Sequence, residues 1–290
     1  MVNITVDLVQ RLINEQFPEW SMLEIKPVQN SGHDNRTFHL GESMSVRLPS
    51  GEGYVSQVEK EHKWLPVLSK HLSLPISKPL AKGKPNQDYP YPWSIYKWIE
   101  GETVTHENIV DTNQFAKDLG GFLVELQSIE ASAGPFGGLH NYYRGCPLTE
   151  FKFHEWTLSS LDELGELVNR ERCLEIWDRA ISTEWQKEPV WIHGDVAPGN
   201  LLVMNGRLSA VIDFGVMAVG DPAADLAMAW TFFDGKSRDI FLNTIGLDKD
   251  TEDRARGWAL WKALTTCVWE PEGSEAVRKA EKVIAVLVNE

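Results

Sequence analysis

The sequence has few cysteines, no long apolar run and no excess of positive charge, and each absence excludes a class of protein. Its 290 residues include only Cys146, Cys173 and Cys267, which lie far apart and without the spacing of zinc ligands. We therefore expect reduced thiols rather than a disulfide framework. No segment reaches the roughly 18 apolar residues of a membrane helix, and residues 5–17 form an amphipathic helical pattern that contains acids rather than a signal peptide. These features predict a cytoplasmic protein with no membrane segment.

The charge balance argues against a nucleic-acid partner. There are 42 acidic and 28 basic residues, which give a formal net charge of −14. Because contacts to a phosphate backbone require a basic surface, nonspecific binding of DNA or RNA is not expected. An acidic chain suits a cationic ligand, although the same charge also simply promotes solubility. The hydrophobic content of 42% is ordinary for a globular protein with a packed core.

The segment 191–230 carries most of the information about function. Within it, LLVMNGRLSAVIDF predicts a β-hairpin, because Asn-Gly between two apolar strands is a strong turn signal. Asp195 and Asn200 precede the first strand, and Asp213 ends the second. Since the strands of a hairpin are antiparallel, we expect the two carboxylates and the amide at the same end of it.

The spacing of these residues predicts phosphoryl transfer. The motif HGDVAPGN followed by Asp213-Phe214-Gly215 matches the protein-kinase pattern H-x-D-x-x-x-x-N and D-F-G. Such a reaction requires a base for the attacking hydroxyl and hard oxygen ligands for Mg²⁺. We therefore predict that Asp195 is the catalytic base and that Asn200 and Asp213 are the metal ligands.

Other interpretations of the same residues stay open. His193 is either a hydrogen-bonding residue or a participant in catalysis. Asp221 and Asp225 are expected to cap a helix predicted over residues 221–233. A metal-dependent hydrolase built on His193, Asp195 and Asp213 has few imidazole ligands for zinc. A pseudokinase that binds nucleotide without catalysis is the remaining alternative.

The rest of the chain predicts two unequal lobes. Three short β-like segments lie within residues 23–49, followed by a helical pattern over 56–72 with Pro66 inside it, where a kink or an early end is expected. A proline-rich segment of turns and extended chain then leads to a buried strand from Trp93. Beyond a boundary near residue 101, the patterns are mainly helical, over residues 112–129, 151–188, 254–269 and 275–288.

These residues resemble the aminoglycoside phosphotransferase family, the antibiotic and small-molecule kinases, over HGDVAPGN, VIDFGVMAVGDPAADLA and the order of the lobes. The resemblance implies an α+β, protein-kinase-like two-lobed fold. A small β-rich lobe, residues 1–100 with a hinge at 96–101, binds the nucleotide. A larger, mainly helical lobe, residues 102–290, contains the catalytic hairpin. The implied activity is Mg²⁺-dependent transfer of the γ-phosphoryl of ATP or GTP to a hydroxyl of a small molecule by a monomer or weak dimer.

The acceptor is most simply an aminoglycoside, and antibiotic resistance is then the implied role. Macrolide, choline, homoserine and sugar kinases share the fold, so the acceptor stays open. A cationic acceptor requires nearby carboxylates, and sugar rings pack on indoles. The candidates for these two roles, for which ordinary packing or surface exposure is the alternative, are Asp234, Glu270, Trp230 and Trp269.

The resemblance also implies the nucleotide site. The backbone of Lys97 and Ile99 would hydrogen-bond the purine, and the loop from Asn30 to Asn35, which includes Ser31, would position the nucleotide. Arg47 stands on the third strand where the family usually has a lysine, and Glu61 aligns as its acidic partner more naturally than Glu59. Arginine is bulkier and forked, so this replacement is not neutral.

Overall fold

The N-terminal part of the chain is built on an antiparallel sheet. The computed structural model describes residues 2–28, 32 and 34–290. Its first sheet has five strands in the order β1-β2-β3-β5-β4. The strands are β1 (Ile25–Pro27), β2 (Asn35–Leu40), β3 (Met44–Pro49), β4 (Lys78–Gly83) and β5 (Trp93–Lys97).

Strand β4 lies in the proline-rich segment for which only turns and extended chain were expected. It occupies the edge of the sheet, and its register against β5 shifts between Pro79 and Ala81. A proline lacks the N–H that a central strand needs, so an edge position with a register shift accommodates it. The difference from the sequence analysis is therefore a strand that only pairing with β5 reveals.

Two helices accompany this sheet. The first, α1 (Val6–Gln16), begins at Thr5, whose hydroxyl accepts a hydrogen bond from the Leu8 N–H at 3.3 Å, and its apolar face is buried against the sheet. The second, α2 (Val55–Leu68), contains Pro66 in its last turn and ends two residues later. The predicted helix over 56–72 thus ends early, at Leu68, as expected because a proline lacks the N–H of one helical hydrogen bond.

The C-terminal part is mainly helical, as predicted. The helices are α3 (Thr112–Ser128), α4 (Phe153–Leu164), α5 (Arg170–Ile181), α6 (Met228–Thr231), α7 (Gly235–Ile245), α8 (Lys249–Trp269) and α9 (Glu275–Val288). One prediction is wrong: residues 221–233 do not form a single helix. They form a 3-10 segment, Pro222–Leu226, followed by the one-turn α6. Most of these residues are buried, so packing decides the local helix type there and periodicity carries little information.

The predicted hairpin is confirmed. It consists of β8 (Leu201–Met204) and β9 (Arg207–Val211), and β6 (Glu102–Thr103) pairs with the free side of β8. Asn205 and Gly206 both have positive φ, 52° and 77°, as the tight turn requires. Strand β9 ends at Val211, two residues before Asp213, rather than at the carboxylate. A separate pair, β7 (Val190–Ile192) with β10 (Ala218–Gly220), lies beside the hairpin.

The two parts meet along α2 and the hairpin. Ile76 forms a β-bridge with Val211, and the Val211 N–H donates to the Pro75 carbonyl at 3.1 Å. Leu65 and Leu68 of α2 are buried in the core of the helical part. The α+β, two-lobed fold class is confirmed. No helix in the described ranges is long and apolar enough to cross a membrane.

Candidate functional site

The loop between β7 and β8 is anchored by the side chain of Asp225. The buried carboxylate of Asp225 accepts hydrogen bonds from the N–H groups of His193 and Gly194, both at 2.7 Å. Gly194 has φ +83°, and an added Cβ would lie 2.6 Å from the Val216 carbonyl oxygen, so only glycine fits. The loop that carries Asp195 is therefore anchored one residue before it.

The side chain of His193 also anchors this loop. It is fully buried, its Nε2 lies 2.9 Å from the Ile212 carbonyl, and its Nδ1 accepts from the Asp195 N–H at 3.2 Å. Since Nδ1 accepts, Nε2 carries the proton and donates it to Ile212. Both ring nitrogens are thus engaged by the backbone. This arrangement supports the hydrogen-bonding interpretation of His193 and leaves neither nitrogen for a metal in a hydrolase.

The carboxylate of Asp195 contacts one group on each side. The Asn200 amide donates to the Asp195 carbonyl at 2.9 Å and to Asp195 Oδ2 at 3.1 Å. Lys262 of α8 reaches Asp195 Oδ1 at 3.3 Å. Burial acts to raise the pKa of Asp195, but nearby positive charge, chiefly that of Lys262, holds it below its usual value. Asp195 is therefore ionised at neutral pH.

Asp213 lies just past β9 in a left-handed conformation, with φ +63°. The next residue, Phe214, is buried with its ring 4.5 Å from the His193 ring, and the Ile212 N–H donates to the Asn200 carbonyl at 2.9 Å. The hairpin thus brings Asp195, Asn200 and Asp213 to one end, as the sequence predicted. A left-handed aspartate is uncommon and is maintained by the packing of its neighbours.

Arg47 of β3 connects the two lobes at this point. Its Nη2 lies 2.7 Å from Asp213 Oδ1, and its Nη1 lies 3.5 Å from Glu61 Oε1 on α2. Glu59, the other candidate partner, instead pairs with Lys82 at the surface. Glu61 also accepts a hydrogen bond from the Tyr96 hydroxyl. The forked guanidinium uses a different nitrogen for each acid, Nη2 for Asp213 and Nη1 for Glu61, whereas a lysine would offer a single nitrogen.

Burial and charge act in opposite directions in this cluster. Burial acts to lower the pKa of Arg47, but the charges of Asp213 and Glu61 outweigh it and the pKa is raised. Burial raises the pKa of Glu61, with Arg47 opposing. The cluster is therefore a largely buried cation between two acids, of which Glu61 is buried and Asp213 is partly exposed.

The oxygen atoms present here suit Mg²⁺. The Asn200 side chain uses its nitrogen on Asp195, which leaves its carbonyl oxygen for a cation, and Asp213 adds a carboxylate. Within residues 2–28, 32 and 34–290, no group of three or more His, Cys, Asp or Glu could hold a metal alone. Mg²⁺ in nucleotide enzymes typically takes one or two protein ligands and completes its shell with water and phosphate oxygens. The set fits a metal that arrives with a nucleotide.

Two of the other predicted nucleotide residues pair with β3, the strand of Arg47: Lys97 with Met44 and Asn35 with Pro49. Lys97 ends β5, and Ile99 lies in the connection to β6, beside Trp98, whose N–H donates to the Ser43 carbonyl at 2.8 Å. Asn35 is buried, and its amide is 3.5 Å from Gln57 Oε1. Asn30, Ser31 and His33 lie outside the described residues, so that part of the predicted loop stays a prediction.

The predicted acceptor residues are dispersed. Trp230 is buried, and its indole N–H donates to Glu290 at 3.0 Å, while Asp234 begins α7 and bonds Ser237. Among the described residues, no hydrogen bond or ion pair connects either of them to Asp195. Trp269 is exposed and packs edge-on against Trp156 at 5.2 Å, and Glu270 follows it at the end of α8. Of the four, Trp269 alone joins the aromatic cluster of α4 and α8.

Two basic residues near Asp195 were not predicted. Lys262 contacts Asp195 directly, and Arg144 contributes to its lowered pKa. Neither belongs to a motif: Arg144 is in a loop singled out only for its glycines and rings, and Lys262 follows a tryptophan on a long helix. No signal in the sequence connects them with Asp195.

Comparison with known proteins gives consistent matches. A model of the Phosphotransferase enzyme family matches residues 24–259. The structure of the GDP and kanamycin complex of APH(2")-IIia is similar, with a TM-score of 0.71, 18% identity, and 96% of each chain covered. The apoenzyme of macrolide 2'-phosphotransferase MphH from Brachybacterium faecium gives a TM-score of 0.61 and 20% identity over 96% of this chain and 98% of that one.

One curated relative is an uncharacterized protein, YcbJ of Bacillus subtilis (strain 168), 24% identical over 165 residues. The aligned part spans 56% of this chain and half the length of that protein. At these identities, the solved structures support the fold, and the family match rests on the sequence.

Proposed function

Because this chain belongs to the phosphotransferase enzyme family, we propose that it is a Mg²⁺-dependent kinase that transfers the γ-phosphoryl of ATP or GTP to a hydroxyl of a small molecule. The observation that carries the proposal is the meeting of Asp195, Asn200 and Asp213 at one end of the hairpin, opposite the Arg47–Glu61 pair. The cytoplasmic location and the monomeric or weakly dimeric state expected from the sequence belong to the same proposal.

In this mechanism, Asp195 orients the acceptor hydroxyl and takes its proton. Its lowered pKa keeps the carboxylate ionised, and the hydrogen bond from Asn200 fixes its direction. A weak base suffices when proton transfer occurs late, after the bond to the leaving nucleotide has weakened. When bound, Mg²⁺ neutralises phosphate charge, and Asn200 Oδ1 and Asp213 would hold it.

Arg47 would bind phosphate oxygens from the N-terminal lobe, with Glu61 holding the guanidinium in place. Lys97 and Ile99 would bind the purine through their backbone. The described part of the loop, with Asn35 buried against Gln57, would contact the nucleotide from the N-terminal lobe. The same site supports turnover rather than a pseudokinase, because the base and both metal ligands are all retained.

For the acceptor, the family resemblance implies an aminoglycoside, and the similar structures are those of an enzyme bound to kanamycin and of a macrolide 2'-phosphotransferase. Aminoglycosides and macrolides therefore form the first panel, with small hydroxylated metabolites as the second. The roles of Asp234, Glu270, Trp230 and Trp269 in acceptor binding stay predictions.

The test is magnesium-dependent nucleotide consumption against this panel, with Asp195→Asn as the critical variant. We expect turnover to fall by at least about 100-fold while nucleotide affinity is retained. Asp250→Asn, the same change at an exposed position on α8, is the matched control. Full activity of Asp195→Asn would remove Asp195 from the role of base, and nucleotide binding without turnover in the wild type would favour the pseudokinase.

A further inference from the structure

The two oxygens of Asp195 face different sides of the site. Oδ2 accepts a hydrogen bond from Asn200. Asn200 lies at the same end of the hairpin as Asp213, which pairs with Arg47, and the nucleotide phosphates would lie beside these residues. Oδ1 faces α8 through Lys262. The acceptor hydroxyl must approach Asp195 from the side away from the phosphates, because the two reactants meet in line. The part of α8 around Lys262 therefore forms the acceptor side.

Arg144 lies on the same side. Its guanidinium stands over the rings of Trp258 and Trp261, each at 5.1 Å, and 5.9 Å from that of Phe153. The adjacent Gly145 accepts from the Asp221 N–H at 2.9 Å, which places this loop against the end of β10. Trp258 and Lys262 are one helical turn apart, so the two basic residues share one wall.

The guanidinium of Arg144 is almost without polar partners. Its single hydrogen bond is to the Tyr142 carbonyl at 3.4 Å, and within the described ranges it forms no ion pair with any carboxylate. A guanidinium has five N–H donors, and a half-buried arginine ordinarily finds an acid. Four of its donors therefore have no hydrogen-bond partner among the described residues.

Apart from the Asp195 carboxylate, the charged groups identified on this wall, Lys262 and Arg144, are both cations. Lys262 and Arg144 cannot accept hydrogen bonds, and the buried indole N–H of Trp261 has no partner. The aromatic rings provide an apolar surface beside these donors. A wall of this composition is complementary to a ligand with anionic oxygens and a ring or apolar face, and it repels ammonium groups.

We propose, on the basis of the kinase function above, that the acceptor is a small alcohol bearing an anionic oxygen group, a carboxylate or a phosphate ester, which Lys262 and Arg144 bind. The aminoglycoside expected from the sequence is a polycation and would place its ammonium groups beside these two cations.

The contact of Lys262 with Asp195 explains how such a group would assist transfer. The side chains of this pair are 54% and 41% exposed, so the ion pair is weak and easily exchanged. An anionic acceptor draws the ammonium away and frees Oδ1. The acceptor O–H then breaks with its proton passing to Asp195, the oxygen bonds to the γ-phosphorus, and the nucleoside diphosphate leaves. Lys262 is in this account a specificity-determining residue.

The experiment uses matched acceptors on one skeleton: 4-(hydroxymethyl)benzoate, 4-(hydroxymethyl)phenyl phosphate, 4-(hydroxymethyl)benzamide and 4-(hydroxymethyl)benzylamine, with kanamycin as a polycation. Binding is measured by calorimetry and transfer by nucleotide consumption. We expect an anionic member to bind at least about tenfold more tightly than the amide, as for a charged hydrogen bond, and the amine and kanamycin to bind most weakly. The two anionic arms distinguish a carboxylate from a phosphate ester.

Lys262→Gln should raise the KM of the anionic acceptor about tenfold and leave that of the neutral amide unchanged. Lys279→Gln, at an exposed position of α9 whose partner Glu275 lies one turn away, is the control. Tighter binding of the amine or kanamycin, no binding by either anion, or an equal loss of kcat for all acceptors in Lys262→Gln would overturn the inference. Anion binding without phosphoryl transfer would instead refute the proposed kinase and keep the charge preference.

Discussion

Asp225 gives the sharpest test of how the catalytic loop is held. Its side chain is fully buried and accepts two backbone hydrogen bonds, from His193 and Gly194, both at 2.7 Å. In Asp225→Asn one carboxylate oxygen becomes an NH₂ group that faces a backbone N–H. An unsatisfied buried donor and the loss of a charged hydrogen bond together cost about 2–4 kcal/mol. We expect the free energy of unfolding to fall by this amount.

The same change should impair catalysis, because Asp195 follows Gly194 directly. A displacement of the carboxylate by a fraction of an ångström would lower kcat by on the order of 10–100-fold, with a smaller effect on the nucleotide KM. Asp250→Asn, an exposed change of the same chemistry, should alter neither quantity. Wild-type kcat together with wild-type stability in Asp225→Asn would show that the loop does not depend on this anchor.

The pH dependence of stability tests the burial of the Asp225 carboxylate independently. Burial raises the pKa of Asp225 from 3.8 to about 6, against the opposing effects of His193 and the backbone donors. The folded state thus holds this proton more tightly than the unfolded chain. The associated stabilisation is complete below the unfolded pKa and is lost as the pH rises through about 6. Relative to Asp225→Asn, the wild type should lose about 1–2 kcal/mol between about pH 5 and about pH 8.

Urea unfolding followed by tryptophan fluorescence at several pH values measures this difference, since the chain has 12 tryptophans. Parallel pH profiles for the two proteins would refute the assigned titration. If the wild type instead gained stability relative to Asp225→Asn as the pH rises, the two backbone hydrogen bonds would outweigh burial in setting the pKa of Asp225.

Two further substitutions test the site from its two lobes. Arg47→Lys should raise the nucleotide KM several-fold in steady-state kinetics, since a lysine has one nitrogen where the guanidinium uses two, one for Asp213 and one for Glu61. An unchanged KM would mean that the fork is dispensable. Gly194→Ala should lower the melting temperature by several degrees, because an alanine at φ +83° with a Cβ contact of 2.6 Å is strained. Gly199→Ala, whose added Cβ has no atom within 4 Å, is the control and should not lower it. Equal melting temperatures of the two variants would contradict the strain.

Local signals in the sequence determined the catalytic hairpin. Asn205-Gly206 specifies a tight turn between apolar strands. The strands pair up to Leu201 and Val211, with one register shift on the way, so Asn200 lies beside Ile212 and one residue from Asp213. The spacing from Asp195 to Asn200 is likewise local. Because these relations extend over few residues and depend on backbone chemistry, the sequence alone was sufficient to predict them.

The sequence also indicated the overall order of the lobes but not each element. Strand β4 depends on pairing with β5, and the helix type of residues 222–231 depends on burial. These are outcomes of packing that local periodicity does not encode.

Only the tertiary structure decided what faces the site. Arg47 and Asp213 are 166 residues apart, and Lys262 and Asp195 are 67 apart. Their contacts depend on how β3 and α8 pack against the catalytic hairpin and its loop, and this packing is set by the whole core rather than by the residues that meet. The chemistry of the reaction was therefore readable in one short stretch of sequence, while the charge offered to the acceptor required the folded chain.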